Sequence, residues 1–424
     1  MLEIDNELLK HKIDHNLQRT KSVVKWTIFA IITGVIVGAF ATAFGLAMNL
    51  ATATRLEVPE LVFLLPVGAV AIQILYKWVL KEKDGGTNVV ISAIQKNARL
   101  PFRLAPLIFI STVFTHLIGG SAGREGAALQ MGGAIGNGIG RAFRFSEADK
   151  KTLIMIGMSA AFSALFGTPM AAAIFSIEVI SVGIMHYAAL APCIISSLIA
   201  RSIAAHFGLS AMSFKRTDIP AFTFTSGFMI TVFAVFCGMV SIAFCFILHA
   251  FDEKYTALFH GSYLRAIIGG TGVLFLTIMV GDQTYNGTGA SVIASCFTGA
   301  TIGLHVFALK IIFTTLTMSA GYKGGEIVPT LFIGATFGAA MGQLVNFSPS
   351  LCAAVGMGAL FCGVTNCPIS SLLICFELFG YEAAPYFLIS VAFAYWVSGY
   401  YGLYKSQKIV YSKYRNNYID KKVE

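Results

Sequence analysis

SAGREGAALQMGGAIGNGIG, residues 121–140, and SAGYKGGEIVPTLFIGATFGAAMG, residues 319–342, decide how this chain folds. Each interrupts apolar, helix-like sequence with glycines and one basic residue. Each then places a carboxylate, Glu125 or Glu326, where a helix begins. Breaks of this kind inside otherwise membrane-competent sequence are functional by default, because a bilayer tolerates irregular backbone and ionisable groups only where they line a protein interior.

The composition around these breaks sets the class. The chain has 424 residues, of which 56% are hydrophobic and only 12% charged, with a mean hydropathy of +0.75. That balance lies outside soluble domains and fits a polytopic helical membrane protein. Apolar stretches cover residues 26–50, 61–76, 152–165, 170–199, 222–248, 266–280, 306–318 and 385–401. Several are shorter than the roughly 20 residues that cross a bilayer. The expectation is an all-α membrane protein of about ten to twelve spans, some helices broken, tilted or ending in mid-membrane. Period-2 alternation, the mark of a β-barrel, is missing.

The formal net charge is +9, and its placement is juxtamembrane. Lys405, Lys408, Lys413, Arg415, Lys421 and Lys422 follow the last apolar stretch, and Lys10, Lys12, Arg19, Lys21 and Lys25 precede the first. The positive-inside rule puts both termini in the cytoplasm. This basicity flanks apolar spans, a juxtamembrane placement that speaks against nucleic acid as the partner. No secretory signal peptide is read at the N-terminus. Eight cysteines lie mostly in apolar runs and form no CxxC pair, so they read as small buried hydrophobes. Neither they nor the histidines suggest a metal or cofactor. Asn286-Gly287-Thr288 matches a glycosylation sequon by accident.

The chain repeats itself at an offset near 200. Gly132, Gly136 and Gly140 correspond to Gly334, Gly338 and Gly342, and glycine every fourth residue lets a neighbouring helix approach closely. TPMAAAIFSIE, residues 168–178, corresponds to CPISSLLICFE, residues 367–377, with proline and glutamate at one separation in both. Several ordered matches indicate two homologous halves, about 20–205 and 220–405. The membrane domain is expected over 25–405, with a cytoplasmic arm at 1–24, a basic tail at 406–424, and a polar linker of Lys215, Arg216, Thr217, Asp218, Ile219 and Pro220 between the halves.

A motif repeated in both halves suggests one site built by both. The first backbone N–H groups of a helix have no intrahelical partner, and the macrodipole adds positive charge there. Two such ends form an anion site, with Ser121 and Ser319 available to cap or donate. A carboxylate at the same place competes with the anion. Deprotonated Glu125 fills the position; protonated, it loses its charge and admits the ion. The plainer alternative is that Glu125 merely caps a helix or pairs with Arg124.

GREG at 123–126, GGEIVP at 324–329 and the two P-x8-E helices together resemble the CLC family of chloride channels and proton-coupled anion antiporters. The likeness covers about residues 20–410. It implies two inverted repeats, a homodimer with one anion pathway per subunit, and Glu125 as the gating glutamate. The anion would be held by the helix-start backbone of Gly126, Ala127, Ile327 and Val328, and by Tyr404 in GLYKSQ, although an interfacial aromatic belt explains Tyr404 equally well. The departures are specific. The family's GSGIP is replaced by GTNVV, residues 86–90, leaving Thr87 or Asn88 as side-chain donor. Ala127 replaces a common proline, and Glu326 stands where an apolar residue is usual. This looks like the fluoride-exporting branch. Val328 departs from the threonine expected there, and Val179 follows Glu178 where many antiporters carry an adjacent acid.

Fluoride is small and strongly hydrated, so its site must supply strong donors. Thr87, Asn88, backbone N–H groups and a protonated Glu326 meet that need; alternatively, Glu326 is a carboxylate held by the helix dipole. Lys310 reads as a residue that snorkels to an interface. The sequence thus indicates fluoride/proton antiport across a bacterial plasma membrane, with fluoride, protons and lipid as partners. A chloride/proton antiporter or passive chloride channel is the near alternative. A membrane-embedded hydrolase using both carboxylates is disfavoured by the repeat.

Overall fold

The structure is a computed structural model describing residues 2–80, 85–214 and 219–424, with side chains from residue 14 onward. Lys10 and Lys12 of the arm fall outside the described side chains. Lys215 to Asp218 of the linker fall outside the described residues.

Among the described residues, two series of eight helices follow one another in matching order. The first comprises α1 (Leu2–Glu57), α2 (Leu65–Leu80), α3 (Thr87–Lys96), α4 (Leu104–Leu117), α5 (Glu125–Ala142), α6 (Glu147–Phe166), α7 (Pro169–Glu178) and α8 (Leu190–His206). The second comprises α9 (Phe224–Leu258), α10 (Ser262–Val280), α11 (Ala290–Ser295), α12 (His305–Ser319), α13 (Ile327–Leu344), α14 (Pro349–Thr365), α15 (Pro368–Phe379) and α16 (Ala384–Val397). Among the described residues, six helices, counting a short 3-10 lead-in where one precedes the helix, are long and apolar enough to cross a membrane; six more are apolar but only 10–17 residues long. Short helices that start or stop in mid-membrane are what the variable apolar lengths predict.

Local chemistry sets the helix ends. Ser146 accepts from Asp149 N to open α6, and Ser348 accepts from Leu351 N to open α14. α6 ends on Gly167 and α14 on Asn366, both left-handed. The glycine stripes work as their spacing predicts. A Cβ at Gly132 would lie 2.1 Å from Gly157 O, and one at Gly338 would lie 2.1 Å from Cys352 O. The α5–α6 and α13–α14 pairs therefore pack backbone to backbone.

The halves are inverted, and the P-x8-E helices show how they meet. Glu178, at the end of α7, accepts from Ile369 N (3.1 Å) and Ser370 N (2.8 Å) at the start of α15. Glu377 near the end of α15 accepts from Met170 N and Ala171 N, each at 2.9 Å, at the start of α7. Each glutamate thus caps the helix that carries the other, so the two helices run antiparallel about a two-fold axis.

One stretch departs from the sequence expectation. Residues 170–199, read as one apolar stretch, break after Glu178, turn through β1 (Ser181–Val182), and resume as α8. The basic tail is a packed hairpin of β2 (Lys408–Tyr411) and β3 (Tyr418–Lys422), with β2 parallel to β1. The termini share one face: Lys25 bridges Asp149 at 2.7 Å, while His186, just past β1, lies within electrostatic reach of Lys151. All eight cysteines are buried and free.

Candidate anion site

Three helix starts converge on Gly126. A Cβ placed there would meet Gly325 Cα at 2.8 Å, Thr87 Oγ1 at 3.2 Å and Glu326 Oε2 at 3.7 Å. Thr87 opens α3, Gly126 lies in the first turn of α5, and Glu326 is the N-cap of α13. The i to i−4 ladders of α5 and α13 take up Ala128 N, bonded to Arg124 O, and Thr330 N, bonded to Glu326 O, each at 3.0 Å. The N–H groups of Gly126, Ala127, Ile327 and Val328 precede those ladders, so positive helix ends face one another in a buried space.

Glu125 is fully buried. Its carboxylate accepts from Arg124 N at 3.1 Å and, at a long 3.4 Å, from Arg124 Nε. The Arg124 pairing of the plainer alternative is therefore present, without a side-chain cap on α5 among the described residues. The guanidinium is shared further, donating to Asn49 Oδ1 (3.4 Å) and Leu165 O (3.2 Å).

On the side of the C-terminal segment lies a cavity of about 300 Å³, lined among others by Thr87, Asn88, Gln130, Ser319, Lys323 and Glu326, with Lys405 at its edge. Asn88 Oδ1 accepts from Ser406 N at 2.8 Å, and Ser92 Oγ donates to Ser406 Oγ at 2.9 Å, so α3 anchors the segment that carries Tyr404. Tyr404 is only 2% exposed, which removes it from any interfacial belt. Its hydroxyl has no hydrogen-bond partner among the described residues, and it lies within electrostatic reach of both Glu326 and Glu125.

The two motif serines differ. Ser121 caps no helix among the described residues: its N–H donates to Thr317 Oγ1 and its hydroxyl pairs with Thr314 Oγ1, both at 3.2 Å. Ser319 Oγ is buried without a partner among the described residues and faces the cavity. Lys310 does not snorkel. It is fully buried and donates to Tyr285 O (2.9 Å) and Gly287 O (2.8 Å), so loop carbonyls replace the water that would otherwise solvate its charge. Gln130, unremarked in the sequence, reaches back from the next turn to Gly126 O at 3.3 Å. A polar residue in so apolar a helix was its available signal. Among the described residues no three His, Cys, Asp or Glu side chains gather as a metal site.

Inverted halves that bring three helix starts together around Gly126, next to the buried carboxylate of Glu125, define a membrane protein whose interior suits a small anion. The family described as voltage gated chloride channel matches residues 67–399, and the chain belongs to that family. It is 30% identical over 415 residues to a chloride/fluoride channel protein of Pseudomonas syringae pv. tomato, covering 96% of this chain and 92% of the relative. It is 27% identical over 293 residues to the H(+)/Cl(−) exchange transporter ClcA of Vibrio cholerae, covering 65% and 62%. The crystal structure of a CLC-type fluoride/proton antiporter superposes with a TM-score of 0.88 at 31% identity, over 91% of this chain and 98% of that one. A slow cyanobacterial Cl−/H+ antiporter, at 19% identity, 88% and 94% coverage and a TM-score of 0.77, shares the fold.

Proposed function

We propose that this protein exports fluoride in exchange for protons across a bacterial plasma membrane, as a homodimer with both termini cytoplasmic. The carrying observation is Glu326, a carboxylate at the α13 N-cap whose Oε2 shares the neighbourhood of Gly126 with Thr87 Oγ1. The two relatives at 30% and 31% identity, whose names include fluoride, support the same reading. The basic residues flanking the membrane domain, and the single face shared by the termini, support the orientation.

Glu125 is the gate. Ionised, it occupies the helix-start field and excludes the anion; protonated, it gives up that field and fluoride enters. Thr87, the N–H groups of Gly126, Ala127, Ile327 and Val328, and the Tyr404 hydroxyl replace fluoride's hydration shell with strong donors. Asn88 holds the segment that carries Tyr404 in place. Glu326, protonated, donates to the ion; ionised, it repels it, so release and proton transfer are linked at one carboxyl group.

Proteoliposomes loaded with fluoride or chloride test this with anion and pH electrodes. Fluoride efflux faster than chloride efflux, accompanied by proton uptake, is expected; faster chloride efflux overturns the fluoride assignment in favour of a chloride/proton antiporter. Glu125→Ala should abolish proton coupling, and transport indifferent to it removes that residue from the mechanism.

A further inference from the structure

A second cationic pocket lies away from the convergence point. Helix α1 carries Lys25 on the face of the termini and Arg55 thirty residues later, roughly 45 Å along the axis, so Arg55 lies at the opposite face. Arg55 is 4% exposed, and its Nε and Nη1 have no partner among the described residues. Its guanidinium packs on Gly287, where a Cβ would come within 3.1 Å of both Nη1 and Nη2. The Lys310 ammonium donates to the carbonyl of that same Gly287 at 2.8 Å.

A cavity of about 570 Å³ opens onto Arg55 and is also lined by Thr277 and Gln283, with the exposed carboxylates of Glu60 and Asp282 at its rim. A guanidinium this deep with two unpaired N–H groups is costly unless an anion or other acceptor meets it. Position favours an anion. Asn286 and Gly287 bond to Gly119 O and Gly120 O, just ahead of the GREG motif. His116 lies within electrostatic reach of both Arg55 and Arg124, the neighbour of Glu125. Two buried cations, Arg55 and Lys310, thus flank the Gly287 loop that bonds to the backbone just ahead of the gate.

We propose that Arg55 is the docking residue of a separate site for a small monovalent anion on the external face, where the transported ion pauses on leaving or entering. The acidic rim disfavours multivalent anions, and the Lys310 ammonium is already committed to two carbonyls, so one charge suffices to fill the site. This rests on the anion-transport reading above and adds to it a residue outside the helix-start site.

The test combines kinetics with crystallography. In vesicles, the external fluoride concentration that half-saturates exchange should rise about tenfold in Arg55→Gln with the maximal rate held within about twofold, while Arg55→Lys keeps most of the affinity. Crystals of the unsubstituted protein soaked in bromide should show an anomalous peak beside Arg55 that is lost in Arg55→Gln. No peak, or an unchanged half-saturating concentration, overturns the proposal; a peak without a kinetic effect marks an adventitious ion only and overturns it too. If Arg55→Gln does not fold, the bromide map and the Arg55→Lys kinetics decide. Vesicles that move neither fluoride nor chloride would sink the transport reading instead, and the bromide map would still settle the site.

Discussion

Gly123 and Gly325 bond each other's backbones in both directions: Gly123 N donates to Gly325 O at 2.7 Å, and Gly325 N donates to Gly123 O at 2.8 Å. This antiparallel bridge joins equivalent positions of the two halves and holds the starts of α5 and α13 together. A Cβ at Gly325 would lie 2.5 Å from Gly126 N and 2.8 Å from Gly126 Cα, both backbone atoms that cannot swing aside. Gly325→Ala is expected to force the helix starts apart, destabilising the protein by about 1–3 kcal/mol and removing most transport. Melting in detergent and vesicle efflux measure the two effects. Transport at the unsubstituted rate would show that the bridge does not set the site.

The paired caps predict a different phenotype. Glu178 accepts from two backbone N–H groups and from Ser370 Oγ, whereas Glu377, among the described residues, accepts from two backbone N–H groups. In Glu178→Gln an amide nitrogen must face donors, at a cost of about 1–3 kcal/mol. The melting temperature should fall further for Glu178→Gln than for Glu377→Gln, with the anion-to-proton ratio unchanged in both. An altered ratio at normal stability would instead make Glu178 a proton relay.

What the sequence disclosed follows from where each signal resides. The helix-start site was legible because glycines, a serine and a carboxylate lie within one short segment, and the repeat doubled the signal. The stripe of Gly132, Gly136 and Gly140 was visible for the same reason, whereas Gly157, alone in α6, and Gly356, which shares α14 with Gly358 and Gly363 but forms no four-residue repeat with them, meet the stripes and signalled nothing. The break after Glu178 depends on partners about 190 and 230 residues away, namely the start of α15 and strand β2. Lys310 misled because its partners are carbonyls of an irregular loop, a feature no local pattern records. The approach of Thr87 to Gly126 likewise arises only once α3 packs on α5.

Tyr404 should separate function from stability. Since its buried hydroxyl bonds no described protein group, Tyr404→Phe deletes no hydrogen bond of the fold and should leave the melting temperature nearly unchanged. If the hydroxyl serves the anion, fluoride transport should fall about tenfold, the equivalent of ~1.4 kcal/mol for one bond to a charged partner. A lower melting temperature with unchanged transport would assign the residue to packing.

Lys413, in the hairpin beyond α16, gives a pH dependence of definite sign. Its ammonium donates to Asn366 Oδ1, to Tyr395 O at 3.1 Å and to Ser398 Oγ at 3.0 Å. Asn366 in turn donates to Gln407 Oε1 at 3.2 Å, three residues past Tyr404. Burial pushes Lys413 from its ordinary 10.5 down to about 8. Below that value both folded and unfolded chains carry the proton, and the folded state bears the full desolvation cost. Between about 8 and 10.5 the unfolded chain binds more protons than the folded one, so this group's contribution to stability must rise with pH across that window. Lys413→Met lacks the titration. The stability of the unsubstituted protein relative to Lys413→Met, followed by unfolding between pH 7.5 and 9.5, should therefore increase by roughly 1–2 kcal/mol. A flat or falling difference would mean that the hydrogen bonds from the ammonium outweigh its burial, and that the charged form is the one the hairpin was built to hold.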